Sequence, residues 1–179
     1  MPKYVAFLRA INVGGHTVKM DRLRLLFEAL GFSNVETFIA SGNVIFDSTS
    51  RNTRSLEKKI ESYLRETLGY EVATFIRSAS EVATISEYKP FPDGELRAEG
   101  HVLYIGFLAE EPADEAKRKV LSLATDVDDF HIRGRELYWL CRKNISDSEV
   151  SGAMLVKALG AQTTLRNATT VKKIAAKYS

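Results

Sequence analysis

Residues 9–19 hold Arg9, Asn12, Gly14, Gly15 and Lys19, directly after an apolar run and just before a helical pattern. Two cations, an amide and two glycines at a strand-to-helix turn suit an oxyanion: glycines let the backbone approach, and the helix start offers N–H groups. A second polar group, Ser41, Gly42 and Asn43, follows about thirty residues on. A third, Arg166 and Asn167, precedes the last helical pattern. A cation ahead of a helix N-terminus is electrostatically unfavoured, so Arg166 calls for an acidic neighbour or a bound anion. A purely structural reading fits the same residues. Gly14 and Gly15 can supply positive φ to a long turn, Asn12 and Asn43 can bond local backbone, and Asp21 as N-cap would put negative charge at the same helix end.

The named motifs fail. "NVGGHTVKMD" has no glycine directly before Lys19 and Met20 after it, so it is neither a P-loop nor a dinucleotide fingerprint. "SGNVIF" lacks the basic-Gly-aromatic opening of an RNA-recognition sheet. His16, His101 and His131 share no metal-ligand spacing with each other or with Cys141, so no metal is expected. Cys141 alternates with Leu137 and Trp139, which marks an inert core thiol. His131 falls on the opposite face, across from Glu136 or Tyr138, as a surface pair. Nothing identifies a nucleophile–base pair or a cofactor, so catalytic residues stay unassigned.

The elements that must position these groups follow from periodicity. "YVAFLR" (4–9) is strand-like, and Leu23, Leu26, Phe27 and Leu30 recur at helical spacing up to Gly31. Residues 35–40 and 43–47 form a hairpin at Ser41-Gly42. Leu56, Ile60, Leu64 and Leu68 mark a second helix ended by Gly69, and 71–77 a fourth strand. This β-α-β-β-α-β order is the ferredoxin-like unit. It starts again after a capping box at Ser78 and Glu81 and a loose stretch at 89–100. There follow a strand at 101–108, a helix opening at Pro112, a hairpin of 128–133 and 136–141 about Gly134, and helices near 148–159 and 168–178. In the last of these Lys172, Lys173 and Lys177 read as a solvated face.

The expected architecture is α+β: two intertwined ferredoxin-like (α/β-plait) halves with antiparallel sheets, residues 1–77 and 78–179, packed as one body. "HVLYIGFL" and "YVAFL" are apolar at nearly every position, so each sheet needs cover on both faces. In such a unit the first and second strands run parallel with the third between them. The turn after the first strand and the first hairpin therefore share an edge, which would bring the first two polar groups together.

Composition limits the function classes. The 179 residues are 45% hydrophobic and 27% charged, ordinary for a globular chain, and no apolar run is long enough to span a bilayer. One cysteine and the absence of a signal-peptide pattern point to the cytoplasm. Charge is uneven. Residues 1–69 carry ten basic and seven acidic side chains, residues 70–141 eight and fourteen, and residues 142–179 seven and two. That is either internal neutralisation or a basic face for an anionic partner.

Four blocks, "FLRAINVGGHTVKM", "TFIASGNVIF", "PF" at 90–91 and "TTLRNATTVKKI", resemble the signature of the bacterial domain-of-unknown-function family 1697. The resemblance runs the length of the chain and implies two interlocked α/β-plait halves, with no established activity. Ala10 stands where the family has Gly, Ala168 where it usually has Trp, Leu165 where it usually has Thr, and Asn144 where it usually has Gly. Two functions remain in view: a binder of a small phosphate-bearing anion through Arg9, Asn12, Gly14, Gly15, Lys19, Ser41, Gly42, Asn43, Arg166 and Asn167, or a module for a macromolecule, nucleic acid or protein. Oligomeric state is open.

Overall fold

A computed structural model describes residues 1–9, 11, 17–39 and 42–178. Within them the chain runs β1 (Lys3–Leu8), α1 (Met20–Ala29), β2 (Ser33–Thr37), β3 (Asn43–Asp47), α2 (Thr53–Leu68), β4 (Thr74–Ser78), α3 (Ala79–Glu87), α4 (Asp93–Arg97), β5 (Val102–Phe107), α5 (Asp114–Leu121), β6 (Asp128–Arg133), β7 (Glu136–Cys141), a 3₁₀ turn (Ile145–Asp147), α6 (Gly152–Leu159), β8 (Thr164–Asn167) and α7 (Ala168–Tyr178). The strands make two four-stranded sheets, ordered β2-β3-β1-β4 and β6-β7-β5-β8, with every pair antiparallel. Both are the ferredoxin-like permutation. The chain forms two compact units, Met1–Ile85 with the chain end from Ile174, and Ser86–Lys173.

In the first unit α1 and α2 lay Leu23, Phe27, Leu56, Ile60 and Leu64 on Tyr4, Ala6, Leu8, Val44, Phe46 and Ile76. The opposite side of the same strands, Val5, Phe7, Ile45, Phe75 and Arg77, is also buried. That is why β1 reads apolar without alternation. Gly31, Gly69 and Gly160 have positive φ just past helix ends, the left-handed stop expected of them. Ser78 and Glu81 form the full capping box: Glu81 N donates to Ser78 Oγ at 3.1 Å and Ser78 N to Glu81 Oε1 at 2.9 Å.

The outer edge of β4 is occupied by carboxylates. Thr74 N donates to Glu61 Oε2 (2.9 Å), Ile76 N to Glu57 Oε2 (2.8 Å) and Ser78 N to Glu81 Oε1 (2.9 Å). Glu57 and Glu61 are one turn apart on α2, so a helical period matches the two-residue repeat of outward N–H groups. Burial raises the Glu61 pKa, against the Thr74 hydrogen bond that lowers it. At the other edge, the β2–β3 register shifts between Ser33 and Glu36, and Asn34 has φ 51°. Both edges are thus blunted against a further strand.

In the second unit α5 and α6 supply Val120, Leu155 and Leu159 to a cluster with Leu108, Phe130, Leu137 and Trp139. Asp128 is fully buried opposite Cys141 and accepts from Trp139 Nε1 (2.9 Å), Ser148 Oγ (2.7 Å) and Thr125 Oγ1 (2.9 Å).

Several boundaries differ from the sequence reading. The stretch expected to open the last helix contains β8. Four residues are too few for a periodic signal, and Gly106 is what admits them. A Cβ at Gly106 would sit 3.0 Å from Thr163 Oγ1 and 3.1 Å from Leu165 Cδ2. α1 starts one residue before Asp21. Lys19 is its N-cap, without a side-chain cap bond, and Asp21 lies in the first turn. The helix expected near 148–159 is the shorter α6, whose cap is Ser151, with Met154 N donating to its Oγ at 3.2 Å, and the 3₁₀ turn lies before that stretch. β2 ends at Thr37 rather than residue 40, because the hairpin turns at Ile39, with φ 57°. β4 starts at Thr74 rather than 71. Pro112 precedes α5 rather than entering it, and α4 forms inside the stretch read as loose.

Candidate functional site

The end of the first sheet is where the chain leaving β1 meets the β2–β3 hairpin. Leu8 N donates to Gly42 O at 2.8 Å, and Arg9 N to Ala73 O at 2.9 Å. Gly42 has φ 79°, and a Cβ there would lie 3.0 Å from Ile11 Cγ2 and 3.1 Å from Leu8 Cβ. Only glycine satisfies both the backbone and the space. Tyr70 Oη donates to Ile11 O at 3.0 Å and fixes the start of the β1–α1 connection; burial raises that phenol's pKa.

Arg9 is half-buried and forms no ion pair or side-chain hydrogen bond with any of the described residues. Lys19 is exposed at the start of α1, where the first N–H groups have no side-chain cap. Asn43 is fully buried and its Nδ2 donates to Phe38 O at 3.0 Å, while Phe38 N donates to Asn43 O at 3.0 Å, so its amide works inside the hairpin. Asn12, Gly14, Gly15 and Ser41 lie outside the described residues.

Arg166 and Asn167 belong to the second unit. The described hydrogen bonds of Arg166 meet neither an acidic neighbour nor an anion. It sits in β8 opposite Ile105, 8% exposed, and its Nη1 donates to Thr164 Oγ1 (2.7 Å) and Leu165 O (3.0 Å). Desolvation lowers its pKa to about 10. Arg77 is its counterpart in the first sheet: in β4 opposite Val5, fully buried, with Nη1 donating to Ile76 O at 2.9 Å. Asn167 caps α7, accepting from Thr169 N at 2.9 Å.

Periodicity gave no sign of two further arrangements. In the first unit, Tyr178 meets Phe38 edge-on, ring centroids 6.0 Å apart, and Lys177 Nζ lies 5.5 Å from the Phe38 centroid and 5.2 Å from that of Tyr178. Lys177, read as part of a solvated face, is therefore stacked on aromatic rings. In the second unit, His131 lies opposite Tyr138, but its hydrogen bond is to Tyr88, Oη to Nε2 at 2.7 Å, and Arg133 covers the Tyr88 ring at 4.1 Å. Desolvation, and then Arg133, lower the His131 pKa, while Asp129 opposes them. Phe91, from the "PF" block, packs against the same imidazole, centroids 6.4 Å apart. Tyr88 and Phe91 come from the loop between α3 and α4, which no strand or helix period could register. Cys141 is buried, and desolvation raises its pKa, as a core thiol requires.

A cavity of about 270 Å³ opens at the other end of the first sheet, beside Phe32, Ser48, Ser50, Ser55 and Lys59. Part of its polar lining is already engaged: Lys59 Nζ donates to Leu30 O (3.2 Å) and Ser50 N to Ser48 Oγ (3.2 Å). Among the described residues no group of three or more His, Cys, Asp or Glu is arranged to hold a metal, and no helix is long and apolar enough to cross a membrane.

Residues 1–138 match the model of a family described as a protein of unknown function, DUF1697. Among solved structures the chain is similar to the conserved bacterial protein SP0830 from Streptococcus pneumoniae, with 25% identity and a TM-score of 0.75 over 98% of this chain and 97% of that one. No curated protein matches the chain.

Proposed function

We propose that this chain, which belongs to the DUF1697 family, binds a small anion of phosphate type where the β1–α1 connection meets the β2–β3 hairpin. The observation that carries this reading is two cations flanking the β1–α1 connection, neither ion-paired among the described residues. Arg9 is half-buried with no carboxylate partner among the described residues, and Lys19 occupies an N-cap that usually holds an acceptor. A half-buried guanidinium and an uncapped helix start are both stabilised by the same ligand, an oxyanion. Asn12, Gly14, Gly15 and Ser41 enter the proposal from the sequence, as backbone and hydroxyl donors on the same two loops. Arg166 and Asn167 do not enter it, since both belong to the second unit and their described hydrogen bonds are made there.

The macromolecular alternative loses one of its routes. A protein strand adding to the first sheet would have to displace three glutamates at β4 or pair with the irregular β2.

The test is titration with inorganic phosphate and with a nucleoside monophosphate, followed by melting and by calorimetry. At about 100-fold excess over Kd, a ligand that binds only the folded chain stabilises it by about 2.7 kcal/mol. Arg9→Ala is expected to abolish that shift while leaving the melting temperature of the free protein near wild type. A shift that survives in Arg9→Ala, or none at all in the wild type, defeats the reading.

A further inference from the structure

We infer that the last turn of α7 is a third wall of this anion site, with the Tyr178 hydroxyl donating to a phosphoryl oxygen and Lys177 serving as a further cation. The inference rests on the reading of the β1–α1 connection and hairpin given above and adds residues that neither loop contains.

The Tyr178 hydroxyl oxygen is buried and has no hydrogen-bond partner among the described residues. A buried donor without an acceptor is costly, and native chains keep few of them. This one is placed beside the hairpin. Its ring stands edge-on to Phe38, which is tied to Asn43 by hydrogen bonds in both directions, and the neighbouring Gly42 touches Leu8 and Ile11. Lys177 Nζ lies over both rings, has no carboxylate within reach among the described residues, and is exposed. A cation, an idle hydroxyl donor and an aromatic floor therefore gather beside the hairpin, at the end of the sheet where Leu8 N meets Gly42 O and the chain passes into Arg9. The adjoining Ile39 is 47% exposed at φ 57°. A β-branched side chain in the left-handed region is strained, and such strain clusters at ligand contacts.

The chemistry selected is a phosphate monoester. Its oxygens accept from Arg9, Lys177 and Tyr178, and its organic group meets Ile39. Tyr178 occupies the terminal turn of its helix, where fraying is cheap, so a shift of that turn brings its buried hydroxyl to an acceptor at little cost.

The test compares wild type with Tyr178→Phe, Lys177→Met and Arg9→Ala, using inorganic phosphate and phenyl phosphate as probes. Tyr178→Phe removes an oxygen that has no partner in the free protein. It should leave the melting temperature unchanged or raise it, and weaken both probes about five- to tenfold. Lys177→Met should weaken both about threefold, less so at high salt. Phenyl phosphate should bind more tightly than inorganic phosphate. If the wild type binds with Arg9 dependence but Tyr178→Phe binds equally well, this inference falls and the site stands. A Tyr178→Phe variant that melts lower also overturns it, because the hydroxyl then has a structural acceptor. If the wild type binds neither probe, the site itself falls.

Discussion

The two units share a strand order and a corner, and the corners differ in chemistry. After β1, Leu8 N donates to Gly42 O in the first hairpin; after β5, Leu108 N donates to Arg135 O in the second, at 3.0 Å. Beyond that point the chains diverge. The first continues into Arg9 and the glycine-bearing stretch, and α1 opens on Lys19. The second continues into Glu110 and Glu111, and α5 carries Asp114 and Glu115 in its first turn. Its cation Lys117 is already paired with Glu111 at 3.3 Å. The second corner thus sets four carboxylates at the start of the helix that follows, while the first sets Arg9 and Lys19 there against the single carboxylate of Asp21. A repeated scaffold carries a candidate site at one copy only because loop chemistry, not topology, makes the site.

The largest expected effect breaks the comparison at its hinge. Gly42→Val should destabilise by about 3 kcal/mol, because the new side chain meets Leu8 and Ile11 at a positive φ. Gly134→Ala in the second hairpin has open space around it and should cost only about 1 kcal/mol. Urea melts that place the two substitutions in the opposite order would show the corners to be packed alike.

Glu57→Ala comes next. It strips the acceptor from Ile76 N and the partner from Arg54 at a side chain 1% exposed, and should cost about 1–3 kcal/mol. It should also promote self-association through the uncovered β4 edge, read by sedimentation. A variant that stays at the wild-type sedimentation coefficient removes the edge-guarding role.

A sharper contrast between the corners concerns ligand. Lys117→Ala should leave phosphate binding unchanged within twofold, the second corner being internally neutralised, whereas Arg9→Ala abolishes it. Equal losses in calorimetry would mean that binding is diffuse charge rather than a site.

The smallest effect is in pH. His131 has a folded pKa below its ordinary 6.5, so the unfolded chain binds the proton more readily. Its contribution to stability is complete above pH 6.5 and declines as pH falls through the folded value. Relative to His131→Gln, the wild type should lose stability between about pH 7 and pH 5 in melts across that range. A constant difference would show that Tyr88 and Arg133 leave the imidazole unperturbed.

Legibility varied with the range of the interaction. The individual strands and helices, the glycine helix stops and the Ser78–Glu81 capping box rest on patterns within a few residues, and strong local signals marked them. The shared corner followed from topology once the strand order was known, and Leu8 N donates to Gly42 O there at 2.8 Å. β8 was hidden because four residues carry no period and because its place depends on Gly106, nearly sixty residues earlier. Arg166 was read as a cation in need of an acidic neighbour or an anion because its proximity to a helix start is visible in sequence, whereas its burial in a strand beside Thr164 is not. The Tyr178–Phe38 and Tyr88–His131 contacts join residues 140 and 43 positions apart, respectively, and neither leaves a trace in composition.

Hydrophobic periodicity and turn residues, acting over one or two helical turns, determined by themselves that this chain builds two like sheets with antiparallel strands and a polar, glycine-rich exit from the first strand. Tertiary structure alone decided which cations keep a partner, which hydroxyl goes without one, and which edge N–H groups meet a carboxylate. Those outcomes depend on distances of about 3 Å between segments far apart in the chain, and a residue's neighbours in sequence do not encode them.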